Sequence, residues 1–103
     1  MTNSKQKGKR GELEFSHLLK DNGYFARRSQ QYMGTENTAD ITSDLPFHFE
    51  VKRVERLNLS KAMQQAVDDS NDNLPVVAHR KNREDWLITM QFKDWIELVK
   101  KIY

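Results

Sequence analysis

One six-residue stretch limits the fold of this chain more than any other. In Phe47-His48-Phe49-Glu50-Val51-Lys52, apolar and polar side chains alternate without a break. Alternation with a period of two belongs to a β-strand that has one face in a core. Phe47, Phe49 and Val51 share the apolar face, and His48, Glu50 and Lys52 share the polar one. Upstream, residues 39–43 are also strand-like, and Asp44-Leu45-Pro46 between the two runs carries turn chemistry. A turn over 44–46 sets Ser43 opposite Phe47, Thr42 opposite His48 and Asp40 opposite Glu50. Two carboxylates then face each other across the ladder. Like charges in that position destabilise a hairpin. One resolution is a divalent cation between them, since Mg²⁺ takes hard oxygen ligands and commonly uses one or two carboxylates. Lys52, on the same face, is placed to balance charge on a phosphorane-like transition state or to help deprotonate a water. The other resolution is a solvated sheet face on which Lys52 neutralises Glu50 or Asp40.

Around this hairpin the pattern predicts a helix from Lys9 to Asn22 with Phe15, Leu18 and Leu19 on its apolar stripe, stopped by Asn22-Gly23. A short strand over Tyr24–Arg28 and a long polar loop over 29–38 follow. Leu59 to about Asp72 resumes helical spacing, with Leu59, Ala62, Met63, Ala66 and Val67 inward and Asn58 or Ser60 as cap. Strands are expected at Pro75–His79 and Asp85–Met90. Phe92, Trp95, Ile96 and Val99 then mark a closing amphipathic helix. The order is helix, three strands, helix, two strands, helix: an α/β domain around one mixed sheet. The 103 residues allow one domain, taken as residues 9–103 behind a mobile basic tail over 1–8. The absence of cysteine excludes a disulfide framework and any thiolate site. No apolar run approaches the roughly 20 residues of a membrane span, and no secretory signal is visible. The expectation is a cytoplasmic protein.

Charge is nearly balanced, at +2, but unevenly spread. Lys5, Lys7, Lys9 and Arg10 come with no acid among the first ten residues, and residues 79–83 read His-Arg-Lys-Asn-Arg. Clusters of this kind point to a polyanion-facing surface or to a solvated tail and loop. Glu12 borders the apolar stripe of the first helix and looks towards the hairpin acids, although first-turn acids are also favoured by the helix dipole. Glu14 lies on the other side of the stripe and is expected in solvent. His48 is expected to hydrogen-bond Thr42. Gln64 and Gln65 fall off the apolar face of the second helix and read as solvated.

Gly8-Lys9-Arg10-Gly11-Glu12-Leu13-Glu14-Phe15 resembles the opening helix of archaeal-type Holliday junction resolvases, which belong to the PD-(D/E)xK, or restriction-endonuclease-like, nuclease superfamily. Ala39-Asp40-Ile41 is similar to the aspartate strand of that motif, with Ala39 in place of its proline, and Glu50-Val51-Lys52 to its (D/E)xK strand. The resemblance runs from about Lys9 to Met90. It implies the αβββαβ core of that superfamily, with a central mixed sheet flanked by helices. It implies Mg²⁺-dependent phosphodiester hydrolysis, with Mn²⁺ as a substitute. Asp40 and Glu50 would be metal ligands, Glu12 a further acid at the metal, and Lys52 the catalytic lysine. The DNA would be branched or a four-way junction, held by Lys9, Arg10, Arg27, Arg28, Ser29, Arg53, Arg80, Lys81 and Arg83. A homodimer would match the two-fold symmetry of such a junction, and a prokaryotic or phage-infected cytoplasm would be its setting. Two alternatives use the same scaffold: a non-catalytic nucleic-acid-binding module, and a nuclease of linear or nicked DNA.

Overall fold

The computed structural model of the chain describes residues 4–29 and 39–103, with side chains from residue 8 onward. The loop expected over 29–38 lies outside these residues, apart from Ser29, as do Met1–Asn3 of the expected tail. Helix α1 covers Ser4–Asp21 and so begins well before the expected Lys9. Lys5, Gln6 and Lys7 are straight-chain residues that lose little rotamer freedom in a helix. Their polarity hid them from a reading based on apolar spacing. The helix stops where Asn22-Gly23 predicts: Gly23 takes φ +94, its amide donates to the Lys20 carbonyl, and the Tyr24 amide donates to that of Leu19. A left-handed glycine here closes the last carbonyls at no steric cost.

Five strands follow, β1 (Ala26–Arg28), β2 (Ile41–Ser43), β3 (Phe47–Arg53), β4 (Leu74–Arg80) and β5 (Leu87–Met90), with helix α2 (Leu59–Asp69) between β3 and β4 and helix α3 (Phe92–Ile102) after β5. Their order in the sheet is the order in the chain. The β1–β2, β2–β3 and β4–β5 pairs are antiparallel and β3–β4 is parallel, so the sheet is mixed. A parallel neighbour needs a crossover, and α2 supplies it. The Asn58 side chain caps α2 by accepting from the Lys61 amide at 3.1 Å.

The two faces of the sheet are covered differently. Phe49, Val51, Ile41, Val76 and Ala78 pack with Phe15 of α1 in one core, and Phe47 borders it. Ala62 and Ala66 of α2 pack on Val77 in a second, smaller core. The predicted alternation of β3 therefore holds, and Ile41 pairs with Phe49 in the predicted register. α1 approaches β3 at Gly11: a Cβ added there would lie 2.9 Å from Arg53 Cβ, so only glycine permits this crossing.

Candidate active site

The parallel partner of β3 and the helix above it bury its polar side. Glu50 is 4% exposed and His48 5%, and Asp40 is also buried. β2 begins only at Ile41, so Asp40 stands just outside the ladder rather than opposite Glu50 as a regular pair. Its amide donates to the Phe49 carbonyl at 2.9 Å, and its Oδ2 accepts the Val51 amide at 2.8 Å. The carboxyl is thus pinned to the backbone beside Glu50. The Ser29 amide donates to the Asp40 carbonyl at 2.9 Å and holds the residue from the β1 side.

Burial pushes the Asp40 carboxyl up to about 6; the Val51 amide works against this, and the nearby Glu12 charge adds to it. Burial likewise raises Glu50 to about 7, reinforced by the Asp40 charge and opposed by Lys52. Lys52 Nζ lies 3.9 Å from Glu50 Oε1. One ammonium thus faces two carboxylates, a deficit of positive charge in a desolvated place. Burial lowers His48, and Asp69, at the last turn of α2, adds a further negative charge that partly offsets this and reinforces the rise of Glu50. Sequence reading missed it. The signal was there: an acid at a helix C-terminus opposes the dipole, and Asp68-Asp69 ends α2 without a basic residue in its last turn.

Asp40, Glu50 and Lys52 come together as expected. Glu12 is close enough to raise Asp40, but its carboxylate accepts from Arg28 Nε at 2.7 Å. Among the described residues no three acidic or histidine side chains converge as a ready-made metal cage. The donor set nevertheless fits a hard cation. Two adjacent carboxyl groups present oxygen only, and each is raised in the absence of positive charge. A divalent ion would hold them ionised.

Several expectations are corrected. Glu14 is not in solvent: Arg80 Nη1 bonds its Oε1, Arg53 Nε lies 3.1 Å from Oε2, and Trp86 Nε1 donates to Oε1 at 3.1 Å. Arg53 and Arg80, expected on DNA, are therefore engaged inside the protein. Thr42 does not meet His48. Its hydroxyl pairs with Ser29 Oγ at 2.7 Å, and His48 Nε2 is buried without a hydrogen-bond partner among the described residues. Ser29 is itself buried, which places it under the site rather than on a DNA-facing surface. Lys9, Arg10, Arg27, Lys81 and Arg83 are exposed, and Arg28 is half-exposed beside Glu12. The Lys81–Arg83 turn follows β4 directly, just past the Arg53–Arg80 pair, at the end of the sheet where β3 carries Lys52. Gln64 is exposed and bonds Asp68 on its own helix at 2.8 Å.

A family model described as "Phage putative PDDEXK endonuclease" matches residues 3–103. The chain belongs to this family. By family the chain is a PD-(D/E)xK nuclease. Among solved structures, this nuclease is similar to Hjc of Archaeoglobus fulgidus, a Holliday junction resolvase from an archaeal hyperthermophile. The TM-score is 0.63 at 23% identity, over 82% of this chain and 72% of that one. At that identity the likeness establishes the restriction-endonuclease-like fold. No curated relative matches the sequence. No helix among the described residues is long and apolar enough to cross a membrane.

Proposed function

We propose that this chain is a divalent-metal-dependent DNA endonuclease that acts on branched DNA, in the manner of a Holliday junction resolvase. The observation that carries the reading is the buried meeting of the Asp40 and Glu50 carboxyl groups with only Lys52 beside them. Asp40 and Glu50 would hold a Mg²⁺ ion, with Glu12 joining them on leaving Arg28; Mn²⁺ offers the same oxygen chemistry. The ion supplies positive charge to the scissile phosphate and acidifies water. The Val51 amide fixes the Asp40 carboxyl in place. The Lys52 ammonium balances negative charge that grows on the phosphate oxygens as water attacks phosphorus and one P–O ester bond breaks. Exposed Lys9, Arg10, Arg27, Lys81 and Arg83 supply phosphate contacts, which set orientation and salt dependence without reading sequence. The branched substrate rests on the structural likeness to the resolvase, and a symmetric junction calls for two sites on two copies of the chain.

The test is a side-by-side cleavage assay on linear, flapped and four-way DNA with Mg²⁺. Preferential nicking of the four-way substrate, lost in Asp40→Asn and Lys52→Ala while DNA binding persists, is the expected result. Preferential cutting of linear ends moves the reading to an ordinary duplex nuclease. No cutting, together with no Mg²⁺ uptake by calorimetry, moves it to a binding module.

A further inference from the structure

Glu12 is an acid beside the site that is engaged elsewhere. Its Oε1 accepts from Arg28 Nε at 2.7 Å. Among the described residues each of the two is the other's sole side-chain hydrogen-bond or ion-pair partner. Glu14, two positions on, is held by two arginines and an indole. The Glu12 pair is a single tie and a partly wet one, with the arginine side chain 37% exposed and the carboxylate 16%. A part-exposed ion pair adds little to stability, so it is open to exchange for better partners.

Its position makes exchange consequential. Arg28 pairs with Ile41 across the β1–β2 ladder, and the amide of the next residue, Ser29, bonds the Asp40 carbonyl. Arg28 thus stands on the strand beside Asp40, while the Glu12 charge reaches the Asp40 carboxyl from α1. Gly11 fixes that part of α1 against Arg53, so the move open to Glu12 is a turn of its side chain. Tied to Arg28, Glu12 leaves Asp40 and Glu50 as the oxygen donors. Released, it offers a third carboxylate, and affinity for a hard divalent cation follows the number of ligand charges. Phosphate competes for the same arginine, because the guanidinium fork matches phosphate as well as it does carboxylate. Lys9 and Arg10, both exposed, precede Glu12 on α1, and Lys9 lies one turn back on the same side. The charge that draws a polyanion therefore adjoins the tie.

We propose that Arg28 is a positioning residue through which DNA completes the metal site: a backbone phosphate takes the guanidinium from Glu12, and the freed carboxylate turns to the cation held by Asp40 and Glu50. This coupling rests on the nuclease reading and adds regulation to it. DNA and Mg²⁺ strengthen each other's binding by the same factor, and without DNA the chain holds the cation weakly. Its centre is then assembled on the substrate rather than ahead of it.

Titration calorimetry of the DNA-free chain with Mg²⁺ is the first test. Arg28→Gln unties Glu12 and is expected to bind Mg²⁺ at least about 5-fold more tightly than wild type. Adding Glu12→Gln to it is expected to abolish the gain. Four-way DNA is expected to tighten Mg²⁺ binding by a similar factor when Arg28 is present and not in Arg28→Gln, both titrated in a Lys52→Ala background to slow cutting. A second cycle needs no metal. In EDTA, Glu12→Gln is expected to raise affinity for four-way DNA at least about 3-fold with Arg28 present and much less with Arg28→Gln, far-UV circular dichroism being unchanged throughout. Mg²⁺ binding that Arg28→Gln leaves unchanged or weakens, or that is equal with and without DNA, overturns the coupling. Arg28 is then a structural tie, and the nuclease reading stands on Asp40, Glu50 and Lys52. Absence of Mg²⁺ uptake by every one of these chains, with or without DNA, overturns the nuclease reading and the coupling together.

Discussion

Glu14 and Glu50 are acids of the same kind held in opposite ways. Glu14 has two arginines and an indole N–H around one carboxylate. Glu50 has one lysine at 3.9 Å, and the charges of Asp40 and Asp69 raise it further. The first is a clasp that ties α1 to β3, β4 and the segment before β5. The second is a place where folding leaves negative charge uncompensated, which stability alone would not retain. An excess of charge that the protein does not cancel is what a substrate or cofactor can complete.

The sharpest way to break this contrast is at the lysine. Lys52→Ala is expected to lower the nicking rate by about 10²-fold or more while junction binding, read by gel shift, is kept. A rate within a few-fold of wild type would make Lys52 a counter-charge only. Next comes stability, where the two acids should behave oppositely. Glu14→Gln is expected to destabilise by about 1–3 kcal/mol, since it leaves two guanidinium groups half-buried and under-paired. Asp40→Asn is expected to stabilise the metal-free protein at pH 8 by on the order of 1 kcal/mol, its amide oxygen still accepting from Val51. Urea denaturation reads both.

The sign with pH follows from the same facts. Asp40 and Glu50 are raised in the folded state, to about 6 and about 7. The folded protein therefore holds their protons more tightly than the unfolded chain does. That stabilising contribution is complete below the unfolded carboxylate range and is lost as pH climbs through about 6 to 7. The stability gap between wild type and Asp40→Asn is accordingly expected to narrow from pH 8 to pH 5. Mg²⁺ binding should strengthen as pH rises from 5 to 8 and release protons as it does so, which titration calorimetry in two buffers measures.

How far the sequence could be read turns on how local each cause is. The face assignment and register of β3 were legible because alternation and a short turn are written within 15 residues (39–53). The role of Glu14 was not, because its partners Arg80 and Trp86 lie 66 and 72 residues away. The length of β2 was misjudged because Asp40 exchanges a ladder position for a side-chain bond to Val51, a choice that leaves no periodic trace. Helical spacing revealed α3, but spacing cannot say what its stripe faces. Gly11 stood inside the family-like opening segment, yet its reason is a contact with Arg53 that only the fold supplies.

Two smaller effects sharpen the comparison further. Gly11→Ala is expected to cost about 1–3 kcal/mol by forcing α1 off β3, and with it to loosen the clasp and shift Glu12, so the thermal midpoint and the nicking rate should fall together. Lys81→Ala, remote from both acids, is expected only to reduce the slope of log binding constant against log salt by about 0.9.

β3 has a hydrogen-bonded strand on each side, β2 and β4, and a helix against each face. Amides so placed exchange with solvent deuterium only when the entire domain opens. The carboxyl of Asp40 is fastened to one of them, at Val51. Fraying of the outer strand β5 therefore leaves the Asp40–Val51 bond in place, and a heated sample should lose this carboxyl pair together with the whole domain, molecule by molecule, rather than through loosened but folded forms.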